Sequence, residues 1–461
     1  MNPHEYARTH APRFLDQLKD LLRIPSVSTL PERASDVRHA AEWVANDLRR
    51  IGLQAVEIIS TPGHPVVYGE WLGAGPDAPT VLIYGHYDVQ PAALEDGWTS
   101  DPFEPVERDG RLVARGASDD KGQMFAQVKA AEALLAAGGA PVNLKLLIEG
   151  EEEIGTPHLG AVLAAQRERL RADVCVISDT GMHTPQQPAI VYGLRGMAYM
   201  EIEVWGPKQD LHSGGYGGII YNPAQALAEI VAALHDAEGR VTVPGFYEDV
   251  LPLADDERAE LARSAPPEGQ WAQEAGVTRF WGEAGYALHE RIGARPTLEV
   301  NGLAGGFAGA GAKTVLPARA LAKISCRLVA NQTPERVYHQ VREYVARLTP
   351  PAVRSDVRLI AQAYPALTRL DSPAVEAACL AYEQGWGQRP VFERGGGTLP
   401  IVADLQRELE LPVVLMGFGL RSDGAHGPDE SYSIEMFYRG IQTAIYFAET
   451  LGQFGRARLS G

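Results

Sequence analysis

Four short stretches of this chain are apolar on both faces and end on, or lead directly into, a histidine or an acid: 81–84, 144–148, 174–177 and the run PVVLMGFG at 412–419. Each is too short for a helix, and a strand with two apolar faces belongs in a sheet covered on both sides, which is the setting of parallel strands. Ligands and catalytic groups in such sheets gather at the carboxyl ends of the strands. Helical stripes fall between these runs. Phe14, Leu18, Leu21 and Leu22 give one; Val37, Ala41, Val44, Leu48 and Ile51 give another, with Ser35 as N-cap and Gly52 as stop; a third spans about 123–137 and ends at Gly138 and Gly139. The expected fold class is α/β with a mostly parallel sheet.

The texture changes near Tyr192. In YMEIEVW (199–205), Met200, Ile202 and Val204 alternate with Glu201 and Glu203, the period of a sheet with one wet face. A helix then opens at Asn222 and Pro223. The order repeats with a strand at about 321–329, a helix opened by Thr333 and Pro334, and a strand near 357–361. This predicts a smaller α/β domain at 192–363, inserted into a larger domain made of 1–191 and 364–461. The stretch 245–295, rich in Pro, Gly, Trp and acids, has no periodicity and reads as irregular.

Composition narrows the function classes. With 461 residues a large core is available without disulfides, and 42 basic against 59 acidic residues leave a net charge of −17. That balance argues against a nucleic-acid partner. No apolar run reaches the ~18–20 residues of a membrane span, and the start lacks the ~7–15-residue apolar core of a secretory signal, so a cytoplasmic protein is expected. Cys175, Cys326 and Cys379 are odd in number and far apart, and read as buried packing residues.

The chemistry sits in the segments after the strands. VLIYGHYDVQP delivers His86 and Asp88, two apart on an extended segment and so on one side. A metal-bound imidazole commonly donates its second N–H to a carboxylate, although a lone pair of this kind is ordinarily just a polar strand end. RGASDDKGQ places Asp119 and Asp120 before a helix, where capping alone explains two acids. LLIEGEEEIG carries Glu151, Glu152 and Glu153; an acidic triplet is usually a solvated face, but this one follows an interior strand, and packed like charges raise a carboxylate's pKa towards that of a general base. DVCVISD ends in Asp179, and LRSDGAHGPDE carries His426; a turn aspartate and a surface histidine are the bland alternatives. Jointly, two histidines and several carboxylates at the ends of four buried strands, without cysteine, describe a nitrogen and oxygen site for zinc, manganese or cobalt.

HYDVQP, ARGASDDKG, GEEEIG, VISD, DLHSGGYGG and GAHGPDE, in this order, resemble the dinuclear metallopeptidases that include aminoacylase, glutamate carboxypeptidase and carnosinase-like cytosolic nonspecific dipeptidase. HYDVQP with GAKTVLP and CRLVANQTPE is most similar to the dipeptidase branch. The resemblance implies two divalent ions per chain, zinc first: His86, Asp119 and Asp179 on one, and Asp119, Glu153 and His426 on the other. It implies Asp88 as the group that orients His86, Glu152 as general base, and a hydroxide bridging the metals as nucleophile. It also implies that the inserted domain is a lid and dimerisation domain. His212 of DLHSGGYGG would then reach the partner subunit's active site in a homodimer, as an oxyanion donor. Arg327 would grip a substrate carboxylate, with Thr314 and a backbone nest at Gly396, Gly397 and Thr398 as further candidates. An isolated Gly-rich hairpin, a surface arginine and a flexible loop are the plain alternatives for these segments. The implied activity is hydrolysis of dipeptides with a free C-terminal carboxylate. An N-acyl-amino-acid deacylase or carboxypeptidase on the same metal core is the alternative, and a non-catalytic binding protein the remote one.

Overall fold

In the computed structural model, which describes residues 1–459, the four doubly apolar runs form four neighbouring strands. Thr80–His86 lies between Asn143–Glu149 and Val174–Ile177, parallel to both, and Val413–Leu415 extends the parallel set beside Val174–Ile177. Antiparallel strands flank this centre: Val66–Trp71 and Gln54–Ile59 on one side, Ala189–Leu194 on the other. Every residue of Thr80–His86 and Asn143–Glu149 is buried, as strands with helices over both faces must be. The helix Lys121–Ala136 is buried almost all round and packs against Ile434–Phe454, which in turn packs against Pro373–Trp386.

The chain divides into two units. Met1–Tyr192, Thr368–Glu393 and the chain from Asp404 onwards form the first; Gly193–Leu367 with Arg394–Ala403 form the second. The second has its own core under a four-stranded antiparallel sheet ordered Thr297–Gly305, Arg319–Leu328, Gly196–Trp205, Arg354–Ala363. Gly196–Trp205 alternates buried and half-buried residues along its whole length, and Ala198, Met200, Ile202 and Val204 are fully buried. Helices Pro223–Ala232 and Pro334–Leu348 cover that face, opened by Asn222 and Thr333 side chains that accept backbone N–H groups.

Several local expectations change. The second stripe is the helix Ala34–Arg50, with Arg33 rather than Ser35 at its N-cap. The last parallel strand is only Val413–Leu415. Segment 394–403, read as part of the larger domain, belongs to the second unit. The stretch 245–295 contains three helices, Asp255–Ser264, Glu268–Ala275 and Leu288–Gly293, which bury few side chains. The three cysteines are buried and free. Among the described residues, no helix is long and apolar enough to cross a membrane.

Candidate metal centre and active site

The carboxyl ends of the parallel strands bring together every group read there from the sequence. His86 is the last residue of its strand and fully buried. Its Nε2 lies 3.1 Å from Asp119 Oδ1 and 3.8 Å from Asp179 Oδ2. His426 Nε2 lies 3.0 Å from Asp119 Oδ2 and 3.3 Å from Glu153 Oε2. Two three-residue groups result, His86–Asp119–Asp179 and Asp119–Glu153–His426, in each of which ligand atoms lie within 4.8 Å of one another. Asp119 belongs to both, one oxygen turned to each. Its peptide bond to Asp120 is cis.

Burial and crowding shift the titration of the groups in this cluster in opposite directions. Burial raises the Glu152 pKa to about 7, with Glu153, Asp119 and Asp88 adding to the shift and His86 opposing it. Burial together with Asp119 and Asp120 pushes Asp179 well above the carboxylate range. Burial works against ionised Asp119 too, but hydrogen bonds from His426 and His86 hold its pKa well below the usual range. Conversely, hydrogen bonds from Asp119 and Glu153 raise His426 to about 10. Four carboxylates, Asp119, Asp179, Glu152 and Glu153, thus share the site with only two imidazoles. Two divalent cations fit this excess of negative charge, and imidazole with carboxylate is a donor set for zinc, manganese or cobalt.

Asp88 is fully buried and does more than the His86 role expected of it. Its Oδ1 accepts the Glu152 N–H at 3.2 Å and its Oδ2 the Glu153 N–H at 3.1 Å. The group nearest His86 Nδ1 is the Asp88 backbone carbonyl at 3.0 Å, with the side chain at 3.4 Å. The acidic triplet is not a solvated face: buried Glu151 accepts the His64 N–H at 3.0 Å and contacts His158 at 2.8 Å. Gln90 donates to Glu153 at 2.7 Å. The Glu152 carboxylate receives no hydrogen bond among the described residues and stays available for a proton. Nor do the paired aspartates cap the helix that follows: Asp120 makes no side-chain cap bond and instead accepts the His86 N–H at 3.2 Å.

Candidates in the second unit form two groups. His212 and Thr314 lie on facing segments: His212 pairs with Val315, and Ser213 N–H donates to the Thr314 carbonyl at 3.0 Å. His212 is exposed, and its Nδ1 accepts the Gly214 N–H at 2.9 Å, so neutral imidazole carries its proton on Nε2. In the other group, Arg327 donates to Thr398 Oγ1 at 2.8 Å, and that hydroxyl donates to the Arg195 carbonyl at 2.6 Å. The Arg195 backbone N–H and Nε donate to the carbonyls of Gly397 and Gly396, both at 3.1 Å. Arg195 and Arg327 line one cavity of about 400 Å³ with His235, Trp281 and Glu299. Arg195 escaped the sequence reading because nothing marks a strand-end arginine as a partner for a loop two hundred residues away.

Residues 82–450 match the model of peptidase family M20/M25/M40. The chain belongs to that family. It is therefore an enzyme, a metallopeptidase, and its relatives include dipeptidases. It is 33% identical over 455 residues to the Cys-Gly metallodipeptidase dug1 of Schizosaccharomyces pombe, covering 95% of both chains. It is 31% identical over 464 residues to the Beta-Ala-His dipeptidase of Homo sapiens, covering 96% of this chain and 91% of that one. Among solved structures, the M20 family metallo-carboxypeptidase Sso-CP2 of Sulfolobus solfataricus superposes with a TM-score of 0.83 at 30% identity, covering 95% of this chain and 99% of that one.

Proposed function

We propose that this peptidase hydrolyses dipeptides that end in a free carboxylate, using two divalent metal ions, zinc foremost, with manganese or cobalt as alternatives. The observation that carries the reading is the pair of ligand groups sharing Asp119, with the unpartnered Glu152 carboxylate beside them. His86, Asp119 and Asp179 would hold one ion and Asp119, Glu153 and His426 the other. When bound, such a pair acidifies a water and polarises the scissile carbonyl. The chain's own groups then divide the remaining work. Glu152, with a pKa lifted by burial and crowding, takes the proton of the attacking water and returns it to the leaving amine. Asp88 keeps the Glu152 and Glu153 amides in place. His212, whose Nε2–H is free to donate, serves the developing oxyanion of the partner subunit, which makes the working form a homodimer.

Arg327 and Thr398 would bind the C-terminal carboxylate, with Gly396 and Gly397 completing that subsite, while Thr314 stands beside the His212 segment and would serve with it. The Arg327 guanidinium donates to the neutral Thr398 hydroxyl and has no ion pair among the described residues, which suits it to an incoming carboxylate. A small peptide is thus the partner molecule, nucleic acid and membrane are not, and the proposed location is the cytoplasm. The likeness to Sso-CP2 favours carboxypeptidase action on longer peptides as the second reading. Hydrolysis of Ala-Ala, Ala-Ala-amide, Ala-Ala-Ala and N-acetyl-alanine separates these. The proposal expects Ala-Ala to be cut and its amide to be rejected; equal cleavage of the two removes the carboxylate subsite, and preference for N-acetyl-alanine moves the function to deacylation.

A further inference from the structure

Glu430 closes the motif GAHGPDE, and its side chain is fully buried. Its Oε2 accepts Arg115 Nη1 at 2.8 Å and the Gly116 N–H at 2.9 Å; its Oε1 accepts the Ser118 N–H at 2.9 Å and the Asp119 N–H at 3.0 Å. A carboxylate offers about four lone-pair sites, and all are in use. The backbone carbonyl of Glu430 adds a fifth tie, accepting the Ala114 N–H at 3.0 Å. Around this latch, Asp423 Oδ2 accepts Ser118 Oγ at 3.0 Å, and Arg115 Nη2 donates to the Gly427 carbonyl at 3.2 Å. Segment 114–119 is tight elsewhere too: Gly116 has φ +82°, and a Cβ there would stand 2.6 Å from Val89 Cγ1.

We propose that Glu430 is a positioning residue of the metal centre, presetting Asp119 as a bridge by holding its backbone to the loop that carries His426. Asp119 and His426, which the second ion needs from opposite ends of the chain, meet through their own ligand atoms; the segments that carry them are also tied by Ser118 to Asp423, by Arg115 to Gly427 and by the pairing of Ser431–Ser433 with Arg111–Val113, but among these ties only Glu430 bonds the Asp119 backbone itself. Without the Glu430 carboxylate, the Ser118 and Asp119 N–H groups lose their acceptor and Asp119 keeps only the looser ties of its neighbours. With it, the ordering is complete before an ion arrives. The inference rests on the reading of Asp119 and His426 as metal ligands.

The test is Co(II) binding to metal-stripped protein, followed by the visible spectrum of the ion and by competition with a chelator. Glu430→Gln keeps the shape, but its amide nitrogen must face two N–H donors, so one pair of the latch is lost. We expect Co(II) affinity to fall ~10–100-fold at both equivalents, the range for groups that orient ligands, with an altered spectrum. Arg115→Met spares the backbone bonds and is expected to weaken binding by about tenfold, the low end of that range. It keeps the test alive if Glu430→Gln does not fold. A latch that served stability alone would lower the melting temperature of the metal-free protein and leave Co(II) affinity and spectrum as in wild type. That result in either folded variant overturns the proposal. Wild-type protein that binds no Co(II) would instead overturn the metal reading beneath it.

Discussion

Replacing Asp88 by Asn separates the role the sequence gives this residue, orienting His86, from the one the structure adds, seating the Glu152 and Glu153 amides. The carboxylate accepts the Glu152 N–H at 3.2 Å and the Glu153 N–H at 3.1 Å through different oxygens. Asn has one oxygen, so one of these buried N–H groups must face an N–H₂. An unsatisfied buried donor costs ~1–3 kcal/mol, which in a unit of this size lowers the melting temperature by no more than a few degrees per kcal/mol. The larger effect falls on turnover. Glu152 and Glu153 are carried on the short 3₁₀ turn Glu152–Ile154 that these bonds seat, and a displacement of ~1 Å at a reacting group costs ~10²-fold in rate. Metal affinity is expected to suffer less, about tenfold at most, because the Asp88 backbone carbonyl still faces His86 Nδ1 at 3.0 Å. The assay is kcat on Ala-Ala at saturating metal, set beside zinc affinity from chelator competition. Full kcat at saturation together with a ~100-fold loss of affinity would refute the reasoning and return Asp88 to the role of holding His86.

Glu152→Gln should keep fold and metal content yet lower kcat by at least ~10²–10⁴-fold; most of kcat surviving would exclude Glu152 as the base. Metal-stripped protein should lose stability as pH rises from about 5 to 7. Burial raises Glu152 to about 7 and Asp120 and Glu149 to about 8, so the folded state holds protons that the unfolded chain has released; this stabilisation is full below the unfolded values and fades as pH climbs through the folded ones. Since cations favour the ionised forms, the melting-temperature gap between loaded and stripped protein should widen over that window, and calorimetry showing a constant or narrowing gap would contradict the charge account. Arg327→Ala should raise KM for Ala-Ala and abolish discrimination against Ala-Ala-amide, a loss of ~2–5 kcal/mol for an anion left without its partner; unchanged discrimination would place the carboxylate elsewhere.

Much of the site was legible because strand ends impose it. A run apolar on both faces can only be an interior strand, and the polar group that follows must lie at the sheet's edge, which is why His86, Asp179 and the Glu151–Glu153 triplet were found together. Alternation did the same for Gly196–Trp205 in the second sheet. What sequence periodicity lacked was any sign of contacts made across the chain. Glu430 looks like a loop acid until its four donors appear more than three hundred residues earlier. Segment 394–403 shows no compositional break to mark its place in the second unit. The helices of 245–295 were missed because they carry almost no buried apolar stripe; Glu268–Ala275 buries no side chain.

The central claim is that two ions and Glu152 act together on a dipeptide. Its most direct test is a titration of metal-stripped protein with zinc while Ala-Ala hydrolysis and bound metal per chain are recorded together. Activity should rise to a plateau at two equivalents in wild type, with Glu152→Gln binding the same two ions and remaining inactive. A plateau at one equivalent, or turnover that does not depend on added metal, would contradict it.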